Sequence, residues 1–111
     1  MSKSSTITRG GSLNGLPAIH PGAMLKDELE ALGLSARAFA DHLKVPHNRI
    51  SGIISGRRAI SADTSLRLGR FFGMSEDFWL RLQTTYEIKR AKAEVGAQIL
   101  GEVRPLRKHA A

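Results

Sequence analysis

Residues that stop or start helices recur so often in this chain that, up to residue 75, no helix longer than about a dozen residues fits between them. Pro21 suits the first turn of a helix, where its missing N–H is not needed, and Gly33 suits a left-handed C-cap. Ser35 is a good N-cap for a second helix. Pro46 ends that helix by disfavouring the helical conformation of Val45, then lends its own fixed φ to the start of a third. Gly56 closes the third, Ser61 caps a fourth that Gly73 terminates, and Ser75 caps a fifth.

Within each piece the apolar residues keep the helical period. Leu25, Leu29 and Leu32 recur at i, i+4 and i+7 over 21–32. Ala36, Phe39, Ala40 and Leu43 form the buried stripe of the second helix; Ile50, Ile53 and Ile54 form that of the third, over 46–55. Ser65, Leu68, Gly69 and Phe72 make the inner face of the fourth, with Leu66 and Phe71 on its flanks. Phe78, Trp79, Leu82 and Tyr86 point inward from the fifth. Ile88, Ala91, Val95 and Ile99 extend a sparser stripe to about residue 100, where Gly101 and Pro105 end it. No segment alternates apolar and polar residues as a strand does, and no internal repeat is visible. The expectation is an all-α domain of five helices over 17–100. A Ser-, Thr- and Gly-rich flexible arm over 1–16 precedes it, and a basic tail over 101–111 follows.

The 111 residues suffice for one such domain and not comfortably for two. With no cysteine, neither disulfides nor a thiolate zinc site holds the fold, which suits the cytoplasm. The first 16 residues lack the apolar stretch of an export signal, and no apolar run approaches the roughly 20 residues that span a bilayer, so neither export nor a membrane partner is expected. His20, His42, His47 and His109 lack ligand spacing, so no metal is expected. Asp63 and Glu76 lie in first turns, where carboxylates answer helix dipoles rather than form an acid–base pair. With no phosphate-cradling glycine loop and no nucleophile elbow, neither an enzyme nor a cofactor is expected.

Seventeen Lys and Arg against ten Asp and Glu give a net charge of +7, which favours polyanionic partners. Its placement matters more than its size. From 35 to 58 five basic residues (Arg37, Lys44, Arg49, Arg57, Arg58) face one acid, Asp41; from 21 to 34 one basic residue faces three acids. Two short helices joined by a tight turn, the second opening on a polar face, meet the demand of a DNA-reading helix-turn-helix. Ala40 is small where the pair crosses. Lys44 occupies the turn position most often filled by glycine, where a left-handed conformation costs roughly 1 kcal/mol. With the isoleucines inward, His47, Asn48, Ser51, Gly52 and Ser55 face out, with Arg49 at the edge. Asn48 can pair bidentately with adenine or cap the helix locally, His47 and Ser51 offer further donors or acceptors, and Gly52 admits close backbone approach. Arg37, Lys44, Arg57 and Arg58 flank the helix to neutralise phosphates, and Ser35 as a cap exposes second-helix amides to a phosphate.

One such helix pair contacts too little DNA for tight specific binding, so a homodimer presenting two copies about 34 Å apart is the sensible unit. Trp79, Leu82, Tyr86 and Ile88 exceed what a small five-helix core absorbs and make the fifth helix the candidate dimer interface. Arg104, Arg107 and Lys108 in the tail add non-specific attraction to DNA.

The segment over 19–91 resembles the HigA-type (VapI-like) antitoxins of bacterial toxin–antitoxin modules, a branch of the Xre/phage-repressor helix-turn-helix family. The similarity is carried by HPG at 20–22, VPHNRISGIISGRRAISADTSLRLGRFFG at 45–73 and FWLRLQTTYEI at 78–88. The resemblance implies an all-α homodimer that binds a palindromic operator in double-stranded DNA of its own promoter and neutralises a small RelE-like mRNA-cleaving toxin. It also implies that His47, Asn48, Arg49, Ser51 and Gly52, with Ser35, Ala36 and Arg37, line the major groove, and that the turn Gly56, Arg57, Arg58 approaches a phosphate or the edge of the minor groove. Ala36 departs from the long polar residue that related repressors often place there, so that readout from the second helix either passes to Arg37 or is lost. The alternatives are an orphan repressor of the same fold without a toxin, and a protein-interaction scaffold that has lost DNA binding.

Overall fold

The computed structural model describes residues 18–107, which form five α-helices and no strand. The arm expected over 1–16 and the last tail residues, from 108, lie outside the described residues. In chain order the helices are α1 (Pro21–Leu32), α2 (Ala36–Leu43), α3 (His47–Ile54), α4 (Ala62–Phe72) and α5 (Phe78–Glu102). No helix among the described residues is long and apolar enough to cross a membrane.

The first four helices begin and end close to where local chemistry stops and starts them. His20 caps α1, its Nδ1 accepting from the Gly22 N–H at 2.9 Å. Gly33 ends α1 at φ 69°, and the Leu34 N–H donates to the Leu29 carbonyl at 3.0 Å, as a left-handed cap requires. The Ser35 hydroxyl accepts from the Ala38 N–H at 3.0 Å. Lys44 takes φ 62° and ψ 45° to close α2, the strained turn that its position demanded. Ser61 caps α4, accepting from the Thr64 N–H at 3.3 Å.

Leu25, Leu29, Phe39, Ala40, Leu43, Ile50, Ile53, Ile60, Leu68 and Trp79 form one core, with Leu34, Phe72 and Leu82 packed on it. Gly22 lets α1 lie directly on α3, since a Cβ there would overlap the Ile53 carbonyl. Leu32, expected on the inner face, is exposed. The Gly33 turn brings Leu34 against the core instead.

α5 starts three residues after the serine expected to cap it. The Ser75 carbonyl accepts from the Phe78 N–H at 3.3 Å, Asp77 occupies the cap position without a side-chain cap bond, and its carboxylate pairs with Arg81 at 3.2 Å. Tertiary docking explains the shift. The buried Ser65 hydroxyl donates to the Glu76 carbonyl at 2.6 Å and accepts from the Leu80 N–H at 3.1 Å, so α4 fixes this turn in a shape that delays the helix. Gly69 admits it, since a Cβ there would come within 2.8 Å of the Ser75 carbonyl oxygen.

At its other end α5 continues through Gly101, the expected stop, to Glu102. An exposed glycine costs a helix about 1 kcal/mol, and hydrogen bonds from Gln98 to Glu102 at 3.3 Å span that turn. Only Trp79 and Gln83 of its 25 residues are buried. Beyond Arg90 every described residue except half-buried Gly96 is exposed. The helix therefore projects from the body, and the radius of gyration of 17.1 Å exceeds the roughly 13 Å of a compact chain of about 100 residues.

Candidate nucleic-acid interface

The ridge that a groove-reading helix needs forms at the N-terminal end of α3. Ile50 and Ile53 are wholly buried, which turns His47 and Asn48 to solvent. Pro46 is the N-cap, and no side chain caps the helix. Asn48 therefore does not serve as the local cap, and its amide stays available to an external partner. Ser51 is half-buried, its hydroxyl donating to the Asn48 carbonyl at 3.4 Å.

Gly52 lies elsewhere than expected. It is buried rather than outward, because Arg58 folds over it; a Cβ on Gly52 would stand 3.2 Å from the Arg58 Cβ and 3.3 Å from its Cδ. Its carbonyl accepts from the Arg57 N–H at 2.9 Å, the Arg58 N–H at 3.0 Å and the Ser55 hydroxyl at 3.1 Å. Gly52 thus anchors the turn after α3 and admits no close approach of a duplex. Ser55 is engaged in the same turn, also accepting from Arg57 Nε at 3.2 Å.

Arg49 also differs from a free edge cation. Its Nη1 donates to Asp63 Oδ1 at 2.8 Å, and the same oxygen accepts from Arg67 Nε at 2.7 Å. Arg67 Nη1 reaches the Leu43 carbonyl at 2.9 Å, so one exposed network joins the end of α2 to α3 and α4. Hydrogen bonds from Arg67 and then Arg49 hold the Asp63 carboxyl below the usual carboxylate range. The Asp63–Arg67 half was legible as an i, i+4 pair. The Arg49 half joins residues 14 apart and leaves no local signal. Asp63 thus does more than answer the α4 dipole.

Ser35, Arg37 and Lys44 are exposed along α2 and its turn, and Arg57 and Arg58 along the turn after α3. The Ser35 hydroxyl accepts from the Ala38 N–H of its own helix, which orders α2 and leaves the O–H to donate elsewhere. His20 sits beside this turn, its ring edge-on to Tyr86 at a centroid distance of 4.9 Å. Burial lowers its pKa, against the raising effects of a backbone hydrogen bond at Arg58 and the Glu87 charge.

The four residues expected at a dimer interface separate. Trp79 is 1% exposed, tilted against Phe72 and edge-on to Phe78, and the core of its own chain consumes it. Leu82 is half-buried against the same core, and Tyr86 is half-buried against His20. Ile88 is bare at 56% exposure. The reason is Gln83, unnoticed in the sequence. It is buried with Oε1 accepting from the Ile60 N–H at 2.9 Å and Nε2 donating to Glu87 at 2.8 Å, which pulls the first two turns of α5 into the core. Among the described residues, no group of three or more His, Cys, Asp or Glu is placed to hold a metal ion.

A five-helix all-α fold with an outward polar start to α3 defines a helix-turn-helix protein, and the helix-turn-helix family matches residues 25–79. Virulence-associated protein I of Dichelobacter nodosus is 48% identical over 82 residues, covering 73% of this chain and 76% of that protein. Among solved structures, an addiction module antidote protein of the HigA family from Coxiella burnetii is 47% identical with a TM-score of 0.80, covering 82% of this chain and all of that one. The Pseudomonas aeruginosa antitoxin HigA, solved with the higBA promoter, is 43% identical with a TM-score of 0.77, covering 80% and 98%. The chain belongs to the HigA-type (VapI-like) branch of the Xre helix-turn-helix family.

Proposed function

We propose that this chain is a DNA-binding antitoxin that represses its own operon as a homodimer and neutralises a RelE-like mRNA-cleaving toxin. The observation that carries the reading is the exposed pair His47 and Asn48 on an uncapped α3 whose opposite side is wholly buried isoleucine. Asn48, with His47 and Ser51 beside it, reads base edges in the major groove, where a good bidentate contact discriminates by about 1–3 kcal/mol. Arg37, Lys44, Arg57 and Arg58 contact phosphates and set the register. The start of α2 at Ser35 turns its amides to the same backbone.

The dimer contact is assigned to the bare stripe of α5, where Ile88, Val95 and Ile99 are all exposed and fall on one face of the helix. A palindromic site then follows from the two-fold axis of the pair. The similarity to antitoxins supports the toxin partner. The test is selection of duplexes from a random pool by the purified chain, together with identification of proteins that co-purify from the native host. A palindromic consensus and a small co-purifying ribonuclease are expected. Retention of random sequence would overturn base reading, and a consensus without any toxin would leave an orphan repressor.

A further inference from the structure

We propose that Asp63 tempers the affinity of the DNA-facing surface: by holding Arg49 it keeps a guanidinium of α3 from serving phosphates, and so weakens the attraction to DNA that ignores sequence. The inference rests on the DNA-binding reading above and adds a residue outside the set that contacts DNA there.

Arg49 is the only Lys or Arg in α3. Left free at the edge of a groove-reading helix it is a phosphate ligand. Its Nη1 instead meets Asp63 Oδ1 at 2.8 Å, with the side chain 30% exposed against 56% for Asp63. Arg67 shares that oxygen at 2.7 Å but has a second acceptor in the Leu43 carbonyl; Arg49 has none among the described residues. Removing the carboxylate therefore releases Arg49 and leaves Arg67 anchored to α2.

Exposed ion pairs add little to stability, so beyond the answer Asp63 gives to the α4 dipole folding gains little from pairing it with Arg49 beside a surface meant for a polyanion. Its consequence lies in the charge presented to DNA. Non-specific affinity is essentially counterion release, with a salt slope of about −0.9 for each phosphate neutralised. A carboxylate hydrogen-bonded to Arg49 cancels one such charge well within a Debye length. Sequence discrimination is carried by base contacts at Asn48 and His47, which Asp63 does not touch. The cancelled charge therefore weakens binding to every duplex without weakening the choice among them.

The experiment compares the intact chain with Asp63→Asn, Asp63→Glu and the double variant Asp63→Asn with Arg49→Ala. Fluorescence anisotropy is read on a selected duplex and on its base-shuffled counterpart, from about 50 to 200 mM salt. Asp63→Asn should bind both duplexes up to about eightfold more tightly at 0.1 M salt and steepen the slope on each by about 0.9, leaving the ratio of selected to shuffled affinity near the parent's. Asp63→Glu should retain the parent slope, and Arg49→Ala should cancel the gain of the Asn variant. Thermal melts establish that each variant is folded, and Asp63→Ser replaces the Asn variant if that one melts early. An unchanged slope in a folded Asp63→Asn protein, or weaker binding to both duplexes, overturns the proposal. Absence of any sequence preference in the parent chain would instead overturn the DNA-reading function itself.

Discussion

α3 sinks Ile50 and Ile53 completely and turns His47 and Asn48 to solvent, whereas α5 buries only Trp79 and Gln83 and leaves Ile88, Val95 and Ile99 bare. Both helices present an unpartnered face, and the two faces are opposite in chemistry. The polar face of α3 is hydrated at no penalty and suits the edges and phosphates of a duplex. The apolar stripe of α5 forgoes roughly 25 cal/mol for each Å² left in water, which suits a second apolar surface. The difference arises from length. α3 has eight residues, all within reach of neighbours, while α5 has 25 and outruns the body that anchors its first two turns.

The largest effect that separates these regions is expected at the root of α5. Trp79→Ala should cost about 3–5 kcal/mol, read as an early thermal or urea transition, and should abolish DNA binding and self-association together. A variant melting within about 1 kcal/mol of the parent would contradict the burial of the indole and place α5 outside the core. Asn48→Ala acts on α3 alone. It should leave the melt unchanged, cost about 1–3 kcal/mol on the selected duplex and relax choice at one base pair. Equal losses on selected and shuffled duplexes would remove Asn48 from base reading.

The contrast between the two helices was only half legible in the sequence. α2 and α3 are bounded by Ser35, Lys44 and Pro46, whose chemistry acts within a turn, so their limits and the outward placement of His47 and Asn48 could be read directly. α5 depends on distant partners. Gln83 is inward because the Ile60 N–H, 23 residues away, needs an acceptor, and Ser75 fails as a cap because Ser65 claims the neighbouring turn. The helical period turns Trp79 inward, as the structure has it, whereas apolar count alone adds it to an interface together with Ile88, which is the one left outside. Gly52 misled for the same reason: a glycine on the polar side of α3 looked like an approach for DNA, but Arg58, folding back from the next turn, covers it. His20 shows a local case that still escapes notice: with Pro21 starting α1 it stands at the cap position, but histidine is outside the Ser, Thr, Asp and Asn that usually fill it.

Charge placed on the stripe of α5 gives a smaller, selective effect. The double variant Ile88→Asp with Ile99→Asp alters two exposed positions, so the dilute protein should melt within about 0.5 kcal/mol of the parent. Self-association by sedimentation should weaken at least tenfold, about 1.4 kcal/mol, and operator affinity should fall with it. A dimer as tight as the parent's would move the interface off α5 and leave its bare face for another partner.

The smallest expected effect lies where the two regions meet, at His20, between the Arg58 turn that covers Gly52 and Tyr86 on α5. Its Nδ1 accepts from the Gly22 N–H, a role that only a ring nitrogen without a proton can fill. The folded pKa lies below the ordinary 6.5, chiefly through burial. Between the two values the unfolded chain binds more protons, so stability rises with pH across that window. The contribution is complete above 6.5 and is lost as pH falls through the folded pKa. The depressed carboxyl of Asp63 acts in the same direction, but only as pH falls below its ordinary 3.8, so the two windows are distinct. Melts from pH 7.5 to 5 should show a gentle decline that His20→Asn, a competent cap without a titrating proton, flattens. In the parent chain the Tyr86 ring resonances should follow the His20 titration while those of Val95 and Ile99, exposed and more than two helical turns beyond Tyr86, stay fixed.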